Sequence, residues 1–102
     1  MGYDMWFGCP CCKRIVEEHY ATYNYQPIFA KLFGDKGIRS LYGHKAKVVA
    51  WKVADAIQQL DMNKGRGDGD GWDATEGNVH ANLEELYKKA SRIQGPCILE
   101  GD

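Results

Sequence analysis

The chain has 102 residues, a formal net charge of −1 and a hydrophobic fraction of 44%. That length fits one domain over residues 1–102 with a modest core. No apolar run approaches the roughly 18 residues of a transmembrane helix, so we expect no membrane partner. The N-terminal residues lack the basic start and apolar stretch of a secretory signal, which predicts a cytoplasmic location. In that compartment the four cysteines are expected as thiols or metal ligands, not as a disulfide framework.

Charge is unevenly distributed along the chain. Residues 31–52 carry six basic residues against one acidic residue, whereas residues 53–102 carry ten acidic residues against five basic ones. A local basic patch on an acidic body favours a small anionic ligand as a partner over long nucleic acid. The alternative is that these charges lie on solvated helix faces.

Aromatic and β-branched residues predict a β-hairpin at the N-terminus. Tyr3–Phe7 has the composition of a strand, and Lys13–Tyr25 favours a second strand paired with it. The CPCC sequence at residues 9–12 lies between them, where its proline suits a turn at the hairpin tip. Cys97–Leu99 is predicted as a terminal strand beside this hairpin.

Three segments carry the signals of helices. Pro27–Phe33 begins with a proline in its first turn and is followed by a glycine. His44–Leu60 and Thr75–Arg92 carry apolar residues at the spacing of a helix with one buried face. With the hairpin, these segments predict an α+β fold: a mainly helical small domain with three helices and a short N-terminal β-hairpin.

The segment Gly43–Leu60 is predicted as the central helix on which the other elements pack. Its apolar face is widened beyond a simple stripe by Val48, Trp51, Ala54 and Ala56. A helix that is apolar on most sides is buried on most sides. The pattern therefore predicts that Trp51 is buried.

Four local patterns carry a resemblance: YDMWF at residues 3–7, TYNYxP at Thr22–Pro27, WxATEGN at Trp72–Asn78 and LEGD at residues 99–102. Together they resemble a family of small, uncharacterised bacterial and phage proteins. The resemblance implies no reaction or cofactor, and a phage origin implies a counter-defence or regulatory role. It also implies that a set of residues forms a shared site or a shared framework. These residues are Tyr23, Asn24, Tyr25, Pro27, Gly43, Trp72, Glu76, Gly77 and Asn78.

The cysteines of the CPCC turn have the spacing of a zinc knuckle. Cys9 and Cys12 can both point at one metal across a tight turn whose backbone N–H groups face the thiolates. This is half of a site, because a structural zinc needs two more ligands. A second subunit is one source of those ligands, and the alternative for the whole segment is a turn of unligated thiols. The sources within this chain are Cys97 together with His19, His44 or His80.

The start of the central helix favours an anion site. With Gly43 as N-cap, the backbone N–H groups of residues 44–46 are predicted to be free at the positive end of the helix dipole. Arg39, His44 and Lys45 add basic side chains there, so we expect them to hold a phosphate or carboxylate group. The residues predicted to stack on a ring of such a ligand are Tyr23, Tyr25 and Trp72.

The sequence contains no hydrolase or transferase motif, so the chain is predicted not to be an enzyme. We predict a non-enzymatic binding protein that captures a small anionic or nucleotide-like ligand or a host protein. The alternative is a zinc-stapled structural or interaction module. A homo-oligomer is left open, and so is whether the aromatic candidates belong to a site or to the core. The candidate ligand-binding residues are Tyr23, Asn24, Tyr25, Arg39, His44, Lys45, Trp72, Glu76 and Asn78, and the candidate metal ligands are Cys9 and Cys12.

Overall fold

The structure, a computed structural model, describes residues 2–102. Its elements in chain order are β1 (Gly2–Gly8), β2 (Ile15–Thr22), α1 (Gln26–Phe33), α2 (Ala46–Ile57), α3 (Glu76–Arg92) and β3 (Ile98–Gly101). Short 3-10 turns lie at Tyr23–Tyr25, Gly37–Leu41 and Asp68–Gly71. The predicted α+β class is confirmed. The predicted helices are present with small differences at their ends, the largest being Ile57 in place of Leu60 at the end of α2.

The three strands form one antiparallel sheet in the order β2-β1-β3. Met5 of β1 lies opposite His19 of β2, and Phe7 lies opposite Leu99 of β3. All four side chains are buried, which defines the inner face of the sheet, because successive residues of a strand point to opposite faces. The alternate residues near the middle of the sheet form an outer face that is half-buried or exposed, and they are Asp4, Trp6, Glu18, Tyr20 and Glu100.

One core lies between the inner face of the sheet and the helices. α2 packs against α3 and β3, and α3 also contacts β2. None of the helices within residues 2–102 has the length and apolarity that crossing a lipid bilayer requires. The largest fully buried side chains are Phe7, Phe29, Met5, Ile38, Leu41, Leu83, Leu86, Leu99, Val49, Val53 and Val79.

The N-terminus of α2 is tied to β3, so the predicted N-cap at Gly43 is wrong. Gly43 has a φ of +87° and donates its N–H to the carbonyl of Leu99 at 2.8 Å. Ala46 donates its N–H to the carbonyl of Cys97 at 2.9 Å, and Lys45 is the N-cap. The chain therefore runs beside β3 before it turns into the helix, and glycine suits the left-handed conformation that this path requires.

Trp51 lies on the solvent side of α2 and is 79% exposed, so the prediction that it is buried is wrong. The buried side of α2 carries Val49 and Val53, which are fully buried, while Ile57 is half-buried. The sheet and α3 cover one side of this helix. Of the additional apolar positions, Ala56 is buried, Val48 and Ala54 are half-buried, and Trp51 alone is exposed.

Candidate functional site

The two motif segments of the sequence meet across the loop of residues 61–75. From the TYNYxP segment, Asn24 Nδ2 donates to the carbonyl of Trp72 at 3.0 Å, and the Tyr25 hydroxyl donates to the carbonyl of Gly71. The structure thus brings predicted site residues together. The polar groups that they present are hydrogen-bonded to the loop backbone.

Asn78 holds the loop from the other side, at the first turn of α3. Its side chain accepts the N–H of Gly67 at 2.7 Å and donates to the carbonyls of Asp68 and Asp73, both at 3.0 Å. These bonds use the acceptor and both donor hydrogens of the amide. Asn78 is 4% exposed, and its own N–H is capped by Thr75 Oγ1 at 3.2 Å. The geometry therefore makes Asn78 a framework residue of the loop.

Glu76 and Gly77 fix the beginning of the same loop. Glu76 accepts the N–H of Asp61 at 3.2 Å and pairs with Lys64 Nζ at 3.2 Å. Gly77 donates its N–H to the carbonyl of Lys64 at 2.8 Å. A Cβ at Gly77 would lie 2.8 Å from the backbone nitrogen of Arg66, closer than van der Waals contact allows. Glycine is therefore required here by the close approach of loop and helix.

The three aromatic candidates have different surroundings. Tyr25 is 5% exposed and belongs to the core, whereas Tyr23 is 38% and Trp72 is 48% exposed. Tyr23 meets the Tyr3 ring edge-on at a centroid distance of 4.7 Å. Trp72 packs against Tyr20 at 5.9 Å. Tyr23 and Trp72 thus keep part of each ring accessible to a partner, and Tyr25 does not.

Two of the three amides predicted to bind an anion at the start of α2 are hydrogen-bonded within the chain. The N–H of His44 donates to the carbonyl of Leu41 at 3.3 Å, and that of Ala46 donates to Cys97 at 2.9 Å. The predicted anion site therefore keeps only the N–H of Lys45 out of the three free donors on which it depended. The side chains of His44 and Lys45 stay half-buried and exposed, respectively.

Arg39, the third basic residue of the predicted anion site, contacts Asp102 and Tyr3. Its Nε donates to the carbonyl of Asp102 at 2.9 Å, and its guanidinium carbon lies 4.9 Å from the centre of the Tyr3 ring. The neighbouring hydroxyl of Tyr42 is buried without a hydrogen-bond partner in residues 2–102. Burial, with a smaller effect of the Asp102 carboxylate, raises the pKa of Tyr42 to about 12. Arg39 therefore packs against the Tyr3 ring and is hydrogen-bonded to Asp102.

The CPCC segment forms a tight turn at the tip of the hairpin. Cys9 donates its N–H to the carbonyl of Arg14, and Lys13 donates to the carbonyl of Cys9, both at 2.9 Å. Lys13 adopts a φ of +64° immediately after Cys12. Hydrogen bonds from the backbone and thiol of Cys12, and then from the backbone of Cys11, lower the pKa of Cys9. The turn therefore favours a thiolate at Cys9, as a metal ligand requires.

The chain itself does not complete a metal site around this turn. Within the range 2–102, no group of three His, Cys, Asp or Glu side chains is arranged to hold a metal ion. Cys97 is buried, and the three histidines are not brought to Cys9 and Cys12. A second subunit, which is one of the predicted sources of the two further zinc ligands, stays a prediction.

A polar network links α3 to the free edge of the sheet. His19 is 7% exposed, with Asn82 Oδ1 2.9 Å from its Nε2 and Lys89 Nζ 3.2 Å from its Nδ1. Lys89 also donates to the carbonyl of Glu18 at 2.8 Å, and Asn82 donates to that of Tyr20 at 2.9 Å. Side chains of α3 thereby cover the outer carbonyls of β2, which protects an edge strand from pairing.

Burial determines the protonation state of His19 in this network. It lowers the pKa of His19 from 6.5 to about 4; the charge of Lys89 also lowers this pKa, whereas the hydrogen bond that His19 donates to Asn82 raises it. At neutral pH the imidazole is therefore uncharged. Its contacts require the proton on Nε2, facing Asn82, and a bare Nδ1 that accepts from the Lys89 ammonium. From the sequence, His19 was considered only as one possible source of a further zinc ligand, and this network was missed.

The outer face of the sheet groups acids around aromatic rings. Asp4 lies opposite Tyr20, and Trp6 lies between Glu18 on one side and Glu100 on the other. Paired residues of an antiparallel sheet share a face. We call these five residues the acidic-aromatic face. The three acids are exposed, Tyr20 is 40% exposed and Trp6 is half-buried.

The carboxylates of the acidic-aromatic face have no ion-pair partner in the part of the chain that the structure describes. A depression of about 410 Å³ on this side of the sheet is lined by Asp4, Trp6, Glu18 and Tyr20, together with Met5, His19 and Lys89 of α3. Among these, Lys89 carries a positive charge that is directed to the His19 network. The face is therefore suited to a cationic partner. The alternation of side chains along β1 could have predicted that Asp4 and Trp6 lie on the same face. The residues of β2 and β3 that lie beside them depend on the strand register.

Comparisons of the chain with protein-family models, curated proteins and solved structures give no match. The resemblance to small bacterial and phage proteins therefore stays a prediction.

Proposed function

We propose that this protein is a non-enzymatic binding protein that docks a basic segment of a protein partner on the acidic-aromatic face. The observation that carries the proposal is the grouping of three unpaired carboxylates around two partly exposed aromatic rings on one side of the sheet. Of the two occupants predicted from the sequence, a protein fits this face better than a small anion. An anion would approach three like charges there, and two of the three amides of the predicted anion site at α2 are already hydrogen-bonded within the chain.

The chemistry of the face suits Arg or Lys side chains. A guanidinium or ammonium group above Trp6 or Tyr20 is attracted by the negative face of the ring. The neighbouring carboxylates of Asp4, Glu18 and Glu100 can then accept charge-assisted hydrogen bonds. A regulatory or counter-defence role, as the resemblance implies, would consist of masking a basic segment of a host protein.

A labelled peptide of alternating Arg and Ser residues should bind the protein, and binding should weaken with added salt because exposed charges are screened. The triple variant Asp4→Asn/Glu18→Gln/Glu100→Gln should bind it about tenfold more weakly, since exposed ion pairs contribute about 0.2–1 kcal/mol each and about 1.4 kcal/mol corresponds to tenfold. Fluorescence polarisation at increasing protein concentration measures both dissociation constants.

The matched control is Asp68→Asn/Asp70→Asn/Glu85→Gln, which neutralises three exposed acids outside the face and changes the net charge equally. Its affinity should stay within about threefold of the wild type. Equal weakening by the two triple variants would mean general electrostatic attraction and would reject the face as a docking site. A lack of binding by the wild-type protein would reject it as well.

The second candidate function is a zinc-stapled interaction module, favoured by the N–H groups directed at Cys9 and the left-handed Lys13 after Cys12. Two thiolates from each of two chains would complete a four-cysteine zinc site. Protein purified with zinc should then contain about one zinc ion per two chains, as elemental analysis measures. Cys9→Ser/Cys12→Ser should remove the metal while Cys11→Ser retains it. Equal zinc contents in all three proteins would exclude this function.

A further inference from the structure

The solvent side of α2 carries a large apolar side chain that is not packed into the core. Trp51 is 79% exposed near the middle of the helix, and Tyr87 of α3 is 40% exposed. Between them lies a cleft of about 580 Å³ with an apolar lining that includes Val48 and Ala54. Tryptophan and tyrosine at the centre of an apolar patch are the residues that most often dominate binding energy at protein interfaces.

The pattern around Trp51 is self-complementary. Val48 and Ala54 lie three residues before and after it, and Lys47 and Asp55 lie four residues before and after it. We call these five residues the Trp51 stripe, because positions three and four apart share a helix face. Read in either direction from Trp51, the stripe has an apolar residue and then a charge, and the two charges have opposite signs.

We propose that the Trp51 stripe is a dimer interface for a second copy of this chain. When two copies of α2 cross antiparallel about a two-fold axis at Trp51, Lys47 of each copy faces Asp55 of the other. Such an isologous contact repeats every interaction twice and closes at two copies. Lys47 and Asp55 are exposed and have no ion-pair partner among the described residues 2–102. The second copy therefore supplies the missing charge at both ends of the stripe.

In this dimer each Trp51 fills the cleft of the other copy, between α2 and Tyr87. The apolar patch is small compared with the roughly 800 Å² per partner of a standard interface. We therefore expect weak, concentration-dependent association. The interface lies on the helical layer, so it leaves the acidic-aromatic face of the sheet open and does not depend on the function proposed for that face.

Sedimentation equilibrium between about 0.01 and 1 mM protein tests the proposal, since that range covers weak dissociation constants. A chelator and a reducing agent are included so that zinc and disulfides cannot join the chains. The wild-type protein should reach a dimer and no larger species. Trp51→Ala should raise the dissociation constant at least about tenfold, while Trp72→Ala, which removes another exposed tryptophan, should leave it unchanged.

Charge exchange separates the two-fold arrangement from non-specific association. Lys47→Glu and Asp55→Lys should each weaken the dimer severalfold, because each variant places like charges together at both ends of the stripe. The double variant Lys47→Glu/Asp55→Lys should restore the wild-type dissociation constant, and Lys36→Glu should leave it unchanged. A monomeric wild-type protein, open-ended association, or a double variant weaker than the single ones would overturn the proposal. Circular dichroism of each variant checks that the fold is retained.

Discussion

Asn78→Ala should lower the free energy of unfolding by about 3 kcal/mol. The substitution leaves the N–H of Gly67 and the carbonyls of Asp68 and Asp73 without their partner. An unsatisfied buried polar group costs about 1–3 kcal/mol, and partial access of water to this surface loop reduces the sum. Urea unfolding followed by circular dichroism measures the change.

Two further variants define the origin of that loss. Asn63→Ala removes an exposed amide of the same loop and should change stability by less than about 0.5 kcal/mol. Asn78→Asp keeps the acceptor for Gly67 but sets a carboxylate against two carbonyls, so it should be at least as harmful as Asn78→Ala. If Asn78→Ala were no less stable than Asn63→Ala, the framework role would be contradicted, and Asn78 would again be a candidate for ligand binding.

The helices and the sheet could be predicted because their signals are local. Apolar spacing located Ala46–Ile57 and Glu76–Arg92, and the proline of the CPCC turn located the hairpin tip. Trp51 was misassigned because apolar character was taken as a sign of burial on every side of the helix. The sequence does not say which sides of a helix receive a neighbour, since that depends on where the sheet and α3 lie.

The site was harder to predict, because the same polar groups serve a framework and a binding site. Asn24, Glu76 and Asn78 were recognised as a group, but only the path of the loop decides that their hydrogen bonds end on its backbone. The acidic-aromatic face was missed for a different reason. Its acids at positions 4, 18 and 100 become neighbours through strand register, which is set by long-range pairing and by an irregularity at Phe7 and Gly8.

Acidification from pH 7 to pH 5 should destabilise the protein by about 2 kcal/mol through His19 alone. Burial lowers the pKa of this imidazole from 6.5 to about 4 in the folded protein, whereas the unfolded chain keeps the ordinary value. The unfolded state therefore binds the proton first. The contribution is fully present above pH 6.5 and is lost as the pH falls from 6.5 towards 4. Protonation would also set an imidazolium against the Lys89 ammonium, which lies 3.2 Å from Nδ1.

His19→Gln isolates this effect, because glutamine can retain polar contacts with Asn82 and Lys89 without titrating. The variant should be less stable than the wild type at pH 7 and should lose less stability on acidification. His44→Gln removes a histidine outside the network and should keep the wild-type dependence between pH 7 and pH 5. Denaturant midpoints across this range measure the slopes. A wild-type slope in His19→Gln would mean that His19 is not buried as a neutral imidazole between Asn82 and Lys89, and that the edge of β2 is held in another way.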